Sequence, residues 1–139
     1  MVDLAQYAEA INGALMDGSP CSVVTVDEQG KPNIGLKGSV LVFDGQHLAY
    51  WERTHGQTMA NLRVRPHVAV LYFNYGKRLY VRFYGDAEVH ETGPVRDQIM
   101  ARVIAPELDR DPERKGYGVL IRVHSVSEPF KQATQTQSA

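Results

Sequence analysis

The sequence predicts a mainly β protein, a small antiparallel β-barrel with peripheral helices. Three observations carry this reading. Short runs of β-branched and aromatic residues recur at spacings of about eight to twelve residues; turn chemistries such as "DEQGK" and "DGQ" separate them, as antiparallel hairpins require; and only a few helical segments punctuate the series. The chain has 139 residues, 43% of them hydrophobic and 22% charged, which suits one soluble domain. Residues 1–130 are expected to form that domain.

Over residues 3–16, Leu4, Tyr7, Ala8, Ile11 and Leu15 recur at helical spacing. Asp3 is placed to cap this amphipathic helix and Gly18 to stop it. "CSVVTVDEQGKPNIGLKGSVLVFDGQHLAYW" then reads as three strands in a meander. Residues 55–66 open on "HGQT" and continue as a short helix, with Met59 and Leu62 inward, until Pro66 stops it. "HVAVLYFN" lacks polar alternation, so it reads as a strand buried on both faces. "RLYVRFYGDAEVH" does alternate, with Leu79, Val81 and Phe83 on one side, and Gly85 marks a bulge or bend. In "TGPVRDQIMARVIA", Thr92 is a possible cap, Pro94 opens the helix, and Val95, Ile99 and Val103 form a stripe. A charged loop, "PELDRDPERKGYG", leads into a last strand, "VLIRVHSVSE". The tail, residues 131–139, lacks apolar residues and is expected to be disordered.

Fifteen Lys and Arg against sixteen Asp and Glu give a net charge of -1. No basic field of the kind that binds phosphate backbones is present, so nucleic acid is not an expected partner. One cysteine, Cys21, precludes an internal disulfide framework. With no apolar run near the roughly 20 residues of a membrane span, no membrane association is expected and the cytoplasm is the default. The five histidines stand at no metal-ligand spacing, and no nucleophile elbow surrounds any serine. No metal is expected.

Helix starts carry more chemistry. The first turn leaves backbone N–H groups unpaired, and the macrodipole adds partial positive charge. In "HGQT", Gly56 permits close approach while Gln57 and Thr58 add side-chain donors, so a phosphate fits; simple capping of a connecting helix is the alternative. The preceding strand places Gly35 and Gly38 close together, where glycine is costly unless something approaches the backbone. Lys37 between them offers a charge for a phosphate or a flavin. Tyr50, Trp51 and Arg53 lead into the same turn, and the two aromatics suit either a ring pocket or core packing.

In the order "VVTVDEQGKP", "IGLKGS", "LAYW", "GQTMANLRVRPHVAVL" and "YGDAEV", the chain resembles the pyridoxamine 5'-phosphate oxidase-like, FMN-binding split-barrel family. The resemblance implies a six-stranded antiparallel split barrel, a homodimer, and FMN in clefts at the subunit interface. It places Gly35, Leu36, Lys37 and Gly38 on the cofactor strand, Tyr50 and Trp51 on the next, and Gln57 and Thr58 at the phosphate. Many relatives carry a cation at that pair; here both positions are uncharged. Lys37, Arg53 or Arg82 would then assist the helix end.

The implied function is an FMN-dependent oxidoreductase acting on a small substrate, electron donor or acceptor. The flavin carries the redox chemistry, so no acid or base side chain is assigned. The alternatives are a non-catalytic flavin- or haem-binding module, an F420-dependent reductase, or an empty site. The vitamin-specific residues of pyridoxamine-phosphate oxidation are not evident.

Overall fold

In the computed structural model, which describes residues 1–138, one antiparallel sheet holds every strand. The strands are β1 (Cys21–Val26), β2 (Pro32–Lys37), β3 (Leu41–Asp44), β4 (His47–Glu52), β5 (His67–Asn74), β6 (Leu79–His90), β7 (Tyr117–Glu128) and β8 (Ala133–Thr136). Their order is β2-β1-β5-β6-β7-β4-β3, with β8 attached to β7. The mainly β split-barrel class is as the sequence predicts. The strand count is eight, not six, and the path is open, with β2 and β3 at its two ends.

The region read as a three-stranded meander is two separate hairpins. β1 pairs with β2, and β3 pairs with β4, but β2 and β3 lie at opposite edges. Both turns close as their chemistry dictates. Asp27 Oδ1 accepts from the Gln29 and Lys31 amides at 2.9 and 2.8 Å while Gly30 takes φ +84°. Asp44 Oδ1 accepts from the Gln46 amide at 2.9 Å. The run from Gly38 to Val40 leads from β2 to β3, and it carries no local signal that the two strands will not pair.

The first helix is shorter than expected. A 3-10 turn, Ala5–Tyr7, leads into α1 (Ala8–Asn12), which ends at Gly13; turns then run to Gly18. Gly13 has the poor helix propensity that explains the early stop. Asp3 does hold the start, its carboxylate accepting from the Ala5 amide at 3.1 Å. α2 (Gln57–Val64) buries Met59 and Leu62 as read from the sequence. α3 (Pro94–Arg102) begins at Pro94, but Gly93, at φ +100°, takes the capping position expected of Thr92. The loop after it contains one helical turn, α4 (Ala105–Leu108).

β5 is not buried on both faces. Val68, Val70 and Tyr72 point into the core, whereas Ala69 and Leu71 are half-buried and Phe73 is exposed. β6 has the expected bulge: its register against β7 shifts between Tyr84 and Gly85, and a Cβ at Gly85 would strike the Arg122 carbonyl. The tail also departs from expectation. Ala133–Thr136 forms β8 along β7, and Gln135 receives the Asp3 amide at 3.1 Å and donates to the Tyr7 hydroxyl at 3.1 Å. Side-chain amides, not apolar contacts, tie it down, which is why composition missed it.

The main core lies between the inward faces of the strands and the N-terminal helical segment, and includes Leu4, Tyr7, Ile11, Tyr50, Tyr72, Phe83 and Ile121. A second, smaller core of Leu41, Ala49, Trp51, Ile99 and Val103 sits beneath α3, where the predicted stripe packs against β4. No helix among the described residues is long and apolar enough to cross a membrane.

Candidate functional site

Because successive strand residues point to opposite faces, Asn33, Gly35 and Lys37 share the inward face of β2, and Ile34 and Leu36 the outward one. The inward face meets the first turn of α2. Asn33 Nδ2 donates to Thr58 Oγ1 at 3.3 Å. A Cβ at Gly35 would lie 3.0 Å from the same oxygen, so the missing side chain is what lets Thr58 settle on the strand. The third residue, Lys37, forms an ion pair with Glu52 at 2.8 Å.

Glu52 is fully buried at the end of β4 and organises the turn into α2. Its Oε1 takes Lys37; its Oε2 accepts from the Thr54 amide at 3.1 Å, the Thr54 hydroxyl at 2.9 Å and the His55 amide at 3.2 Å. Burial pushes its pKa up, but the Lys37 hydrogen bond and charge and the Thr54 donors outweigh this and hold it below the ordinary glutamate range. His55 sits at φ +51°, a conformation rare for a side-chain-bearing residue. Its backbone bond to Glu52 helps to hold it there.

Gly56 precedes α2, and no side chain caps the helix. Gln57 bonds instead to Asn61 Oδ1 at 2.7 Å, and Asn61 Nδ2 donates to Thr25 Oγ1 on β1 at 3.0 Å. The first-turn N–H groups of α2 are thus left to a ligand or solvent. Nearby cations are engaged elsewhere: Arg63 pairs with Glu91 at 2.8 Å, and Arg65 donates to the Asp27 and Glu28 carbonyls at 3.0 Å. Lys37 is committed to Glu52, so it is not a spare charge for a phosphate.

The other predicted site residues go elsewhere. Tyr50 is buried in the main core with its hydroxyl unpartnered; burial, then the Glu52 charge, raises its pKa. Trp51 faces the second core, its Nε1 donating to Asp111 at 2.8 Å and its ring lying 4.9 Å from the Arg96 guanidinium. Both rings are packed inside the protein, Tyr50 fully buried and Trp51 only 2% exposed. At Gly38 the space for a side chain is taken by the Glu107 carboxyl, 2.9 Å from where a Cβ would lie, and by Leu15 at 3.2 Å. Arg53 lies in that same neighbourhood, in a pocket of about 230 Å³ with Leu36, Glu107 and Arg110. Arg82 is exposed on β6, donating to Ser127 at 3.0 Å. Among the described residues no cluster of three or more metal-ligating side chains occurs.

Sequence reasoning missed Glu52, Asn33, Asn61 and Asp111. Asn33 carried a signal, since it stands two and four residues before Gly35 and Lys37 and therefore on their face. Glu52 ends an apolar strand, and nothing local announces that Lys37 will meet it.

The sequence pattern described as pyridoxamine 5'-phosphate oxidase matches residues 7–126. Among solved structures, HupZ of Group A Streptococcus is 25% identical, with 96% of this chain and 97% of that one covered at a TM-score of 0.71. A Lactobacillus delbrueckii protein named for pyridoxamine 5'-phosphate oxidase is 27% identical over 91% of this chain and 99% of its own, at a TM-score of 0.67. An FMN-binding protein from Syntrophomonas wolfei is only 16% identical but shares the fold, covering 90% of this chain and 85% of that one at a TM-score of 0.72. No curated protein gives a significant match. With 120 consecutive residues inside the matched segment, from Tyr7 to Val126, the chain belongs to the pyridoxamine 5'-phosphate oxidase family.

Proposed function

We propose that this protein binds FMN along β2 and at the first turn of α2, and that it is an FMN-dependent oxidoreductase for a small substrate or electron acceptor. The observation that carries the reading is the uncapped start of α2 packed, through Thr58, onto Gly35 of an edge strand. An edge strand keeps half of its backbone N–H and C=O groups free, which suits the hydrogen-bonding rim of a flat heterocycle. Its outward side chains, Ile34 and Leu36, are 70% and 69% exposed and offer apolar contact.

The residues fit a phosphate held by backbone N–H groups and the helix dipole, with Gln57 and Thr58 adding neutral donors. When bound, FMN supplies the capacity to take and give electrons. Among the chain's own groups, Glu52 fixes the turn from Thr54 to His55, Thr58 sets the distance between helix and strand, and Asn61 ties both to β1. No charged side chain opposes the phosphate directly, so affinity is expected to be modest. The neutral phosphate end favours, as a second reading, a module that holds a flavin without turnover.

The homodimer implied by the family is part of the proposal. Cross-strand register aligns Ile34, Val24, Ala69 and Tyr84 in one row across four strands. Phe73 is 43% exposed on the same face. A second copy is the partner that would cover this face and bring the exposed side of β2 into a cleft.

An absorption spectrum of the purified protein, followed by titration with FMN under fluorescence, tests the reading. A flavin spectrum or saturable quenching supports it, and their absence at saturating FMN refutes it. Stopped-flow mixing of the FMN complex with NADH and NADPH then separates the two readings, because a module without turnover shows no saturable reduction.

A further inference from the structure

We infer that the pocket between the end of β2 and α4 is a binding site for a small monocarboxylate with a short apolar body. Arg53, just after β4, and Arg110, just after α4, both reach this pocket, and Glu107 completes its polar lining. Neither guanidinium, nor the Glu107 carboxylate, makes a side-chain hydrogen bond or ion pair among the described residues. By contrast, Arg63, Arg65 and Arg102 each donate to a carboxylate or a backbone carbonyl. Two arginines against one glutamate leave a local charge of +1, which selects a monoanion, and a guanidinium fork matches a carboxylate in shape. Leu15, Leu36 and Pro106 supply the apolar wall.

The pocket, about 230 Å³ and open to solvent, has room for a short-chain acid. Glu107 lies over the backbone of Gly38, its carboxyl occupying the space that a Cβ there would take. Gly38 therefore shapes this pocket. It lies three residues beyond Gly35, or about 10 Å along the strand, so the pocket and the α2 start flank opposite ends of the same edge. If the flavin reading holds, and this last step rests on it, the carboxylate is the class of substrate presented to the ring.

The test uses butyrate, with butyramide and n-butylammonium as neutral and cationic counterparts, titrated into the full chain with and without FMN. Amide shifts at Leu36, Gly38 and Glu107 are followed by NMR. Butyrate should shift all three saturably, and both counterparts should bind at least about tenfold more weakly, the range expected when a charge-assisted pair is lost. Arg110→Gln should weaken butyrate by a similar factor with an unchanged melting temperature, and Glu107→Gln should tighten it. Equal binding of butyramide, no saturable shift, or weaker binding by Glu107→Gln overturns the site. FMN that fails to bind while butyrate behaves as expected removes the flavin reading alone; the reverse result removes this pocket alone.

Discussion

Replacing Lys37 with methionine strips the cation from a carboxylate that has no access to water, and the consequence is calculable. The Lys37 Nζ–Glu52 Oε1 contact is 2.8 Å and Glu52 is fully buried. Breaking such a pair by removing one partner typically costs about 3–5 kcal/mol, because an uncompensated charge remains inside. Glu52 has an escape, however, which is to take up a proton. With the ordinary glutamate value of about 4.3 in the unfolded chain and 1.36 kcal/mol per pH unit, protonation costs about 3.7 kcal/mol at pH 7 and about 1.0 kcal/mol at pH 5. The penalty of the substitution should therefore fall by up to about 2.7 kcal/mol over that interval. The wild type moves the other way. Its Glu52 pKa is depressed, so the stabilisation is present above the unfolded value and is lost only as pH falls through the folded one; between pH 7 and 5 it stays almost intact. Urea unfolding of both proteins at the two pH values measures the difference. A penalty below about 1 kcal/mol at pH 7, or one that does not shrink at pH 5, would refute the claim that this ion pair neutralises a buried charge.

Four further outcomes follow from the same geometry. Gly85→Ala drives a methyl group into the Arg122 carbonyl at the β6 bulge, and a loss of at least about 2 kcal/mol is expected from strain and overpacking; chemical denaturation reads it. Gln57→Lys places a cation at the α2 start and should lower the FMN dissociation constant about fivefold, matching roughly 1 kcal/mol for a charge-assisted contact; unchanged affinity in a fluorescence titration would move the phosphate elsewhere. Burial pushes the Cys21 thiol up to about 12, so the native protein should resist a thiol reagent such as dithionitrobenzoate at pH 8 and react at once in denaturant. Leu36→Asp puts a charge into the exposed face of β2, and if the proposed homodimer forms through that face, gel filtration should show the variant eluting as a smaller species than the wild type.

How much of this was legible without coordinates depends on the range of the interaction concerned. The β6 bulge announced itself because a single glycine interrupted an alternating run, and the inward pair Met59 and Leu62 followed from helical spacing alone. Local chemistry also settled both hairpin turns, through Asp27 and Asp44. What failed was whatever needed a partner far along the chain. The separation of β2 from β3 across the sheet, the Lys37–Glu52 pair over fifteen residues and the Trp51–Asp111 bond over sixty leave no periodic trace. β8 failed for a related reason: its anchor is the Gln135 amide, which reads as tail composition until Asp3 and Tyr7 are seen beside it.

Gly35 and Gly38 show how one sequence signal can have two physical readings. From the sequence, Gly35 and Gly38 mark places where something must approach the backbone, and a flat ligand was the attractive candidate. The structure fills both approaches with the chain itself, Thr58 at Gly35 and Glu107 at Gly38. The Thr58 contact lies on the side of β2 away from its outward apolar residues, whereas Glu107 reaches Gly38 beside Leu36, with which it lines the pocket. The two readings therefore act in series. Glycine lets the helix turn close onto the inner side of the strand at Gly35 and lets α4 approach its end at Gly38, and these approaches set the α2 start and the carboxylate pocket along an edge where Ile34 and Leu36 remain exposed. On this account Gly35→Ala should weaken FMN binding by displacing Thr58 rather than by blocking the ligand. A Gly35→Ala, Thr58→Ser double variant, which removes the neighbouring methyl and lets the hydroxyl retreat, should then recover part of the affinity. If the single variant leaves FMN binding unchanged, the strand–helix contact does not position the site.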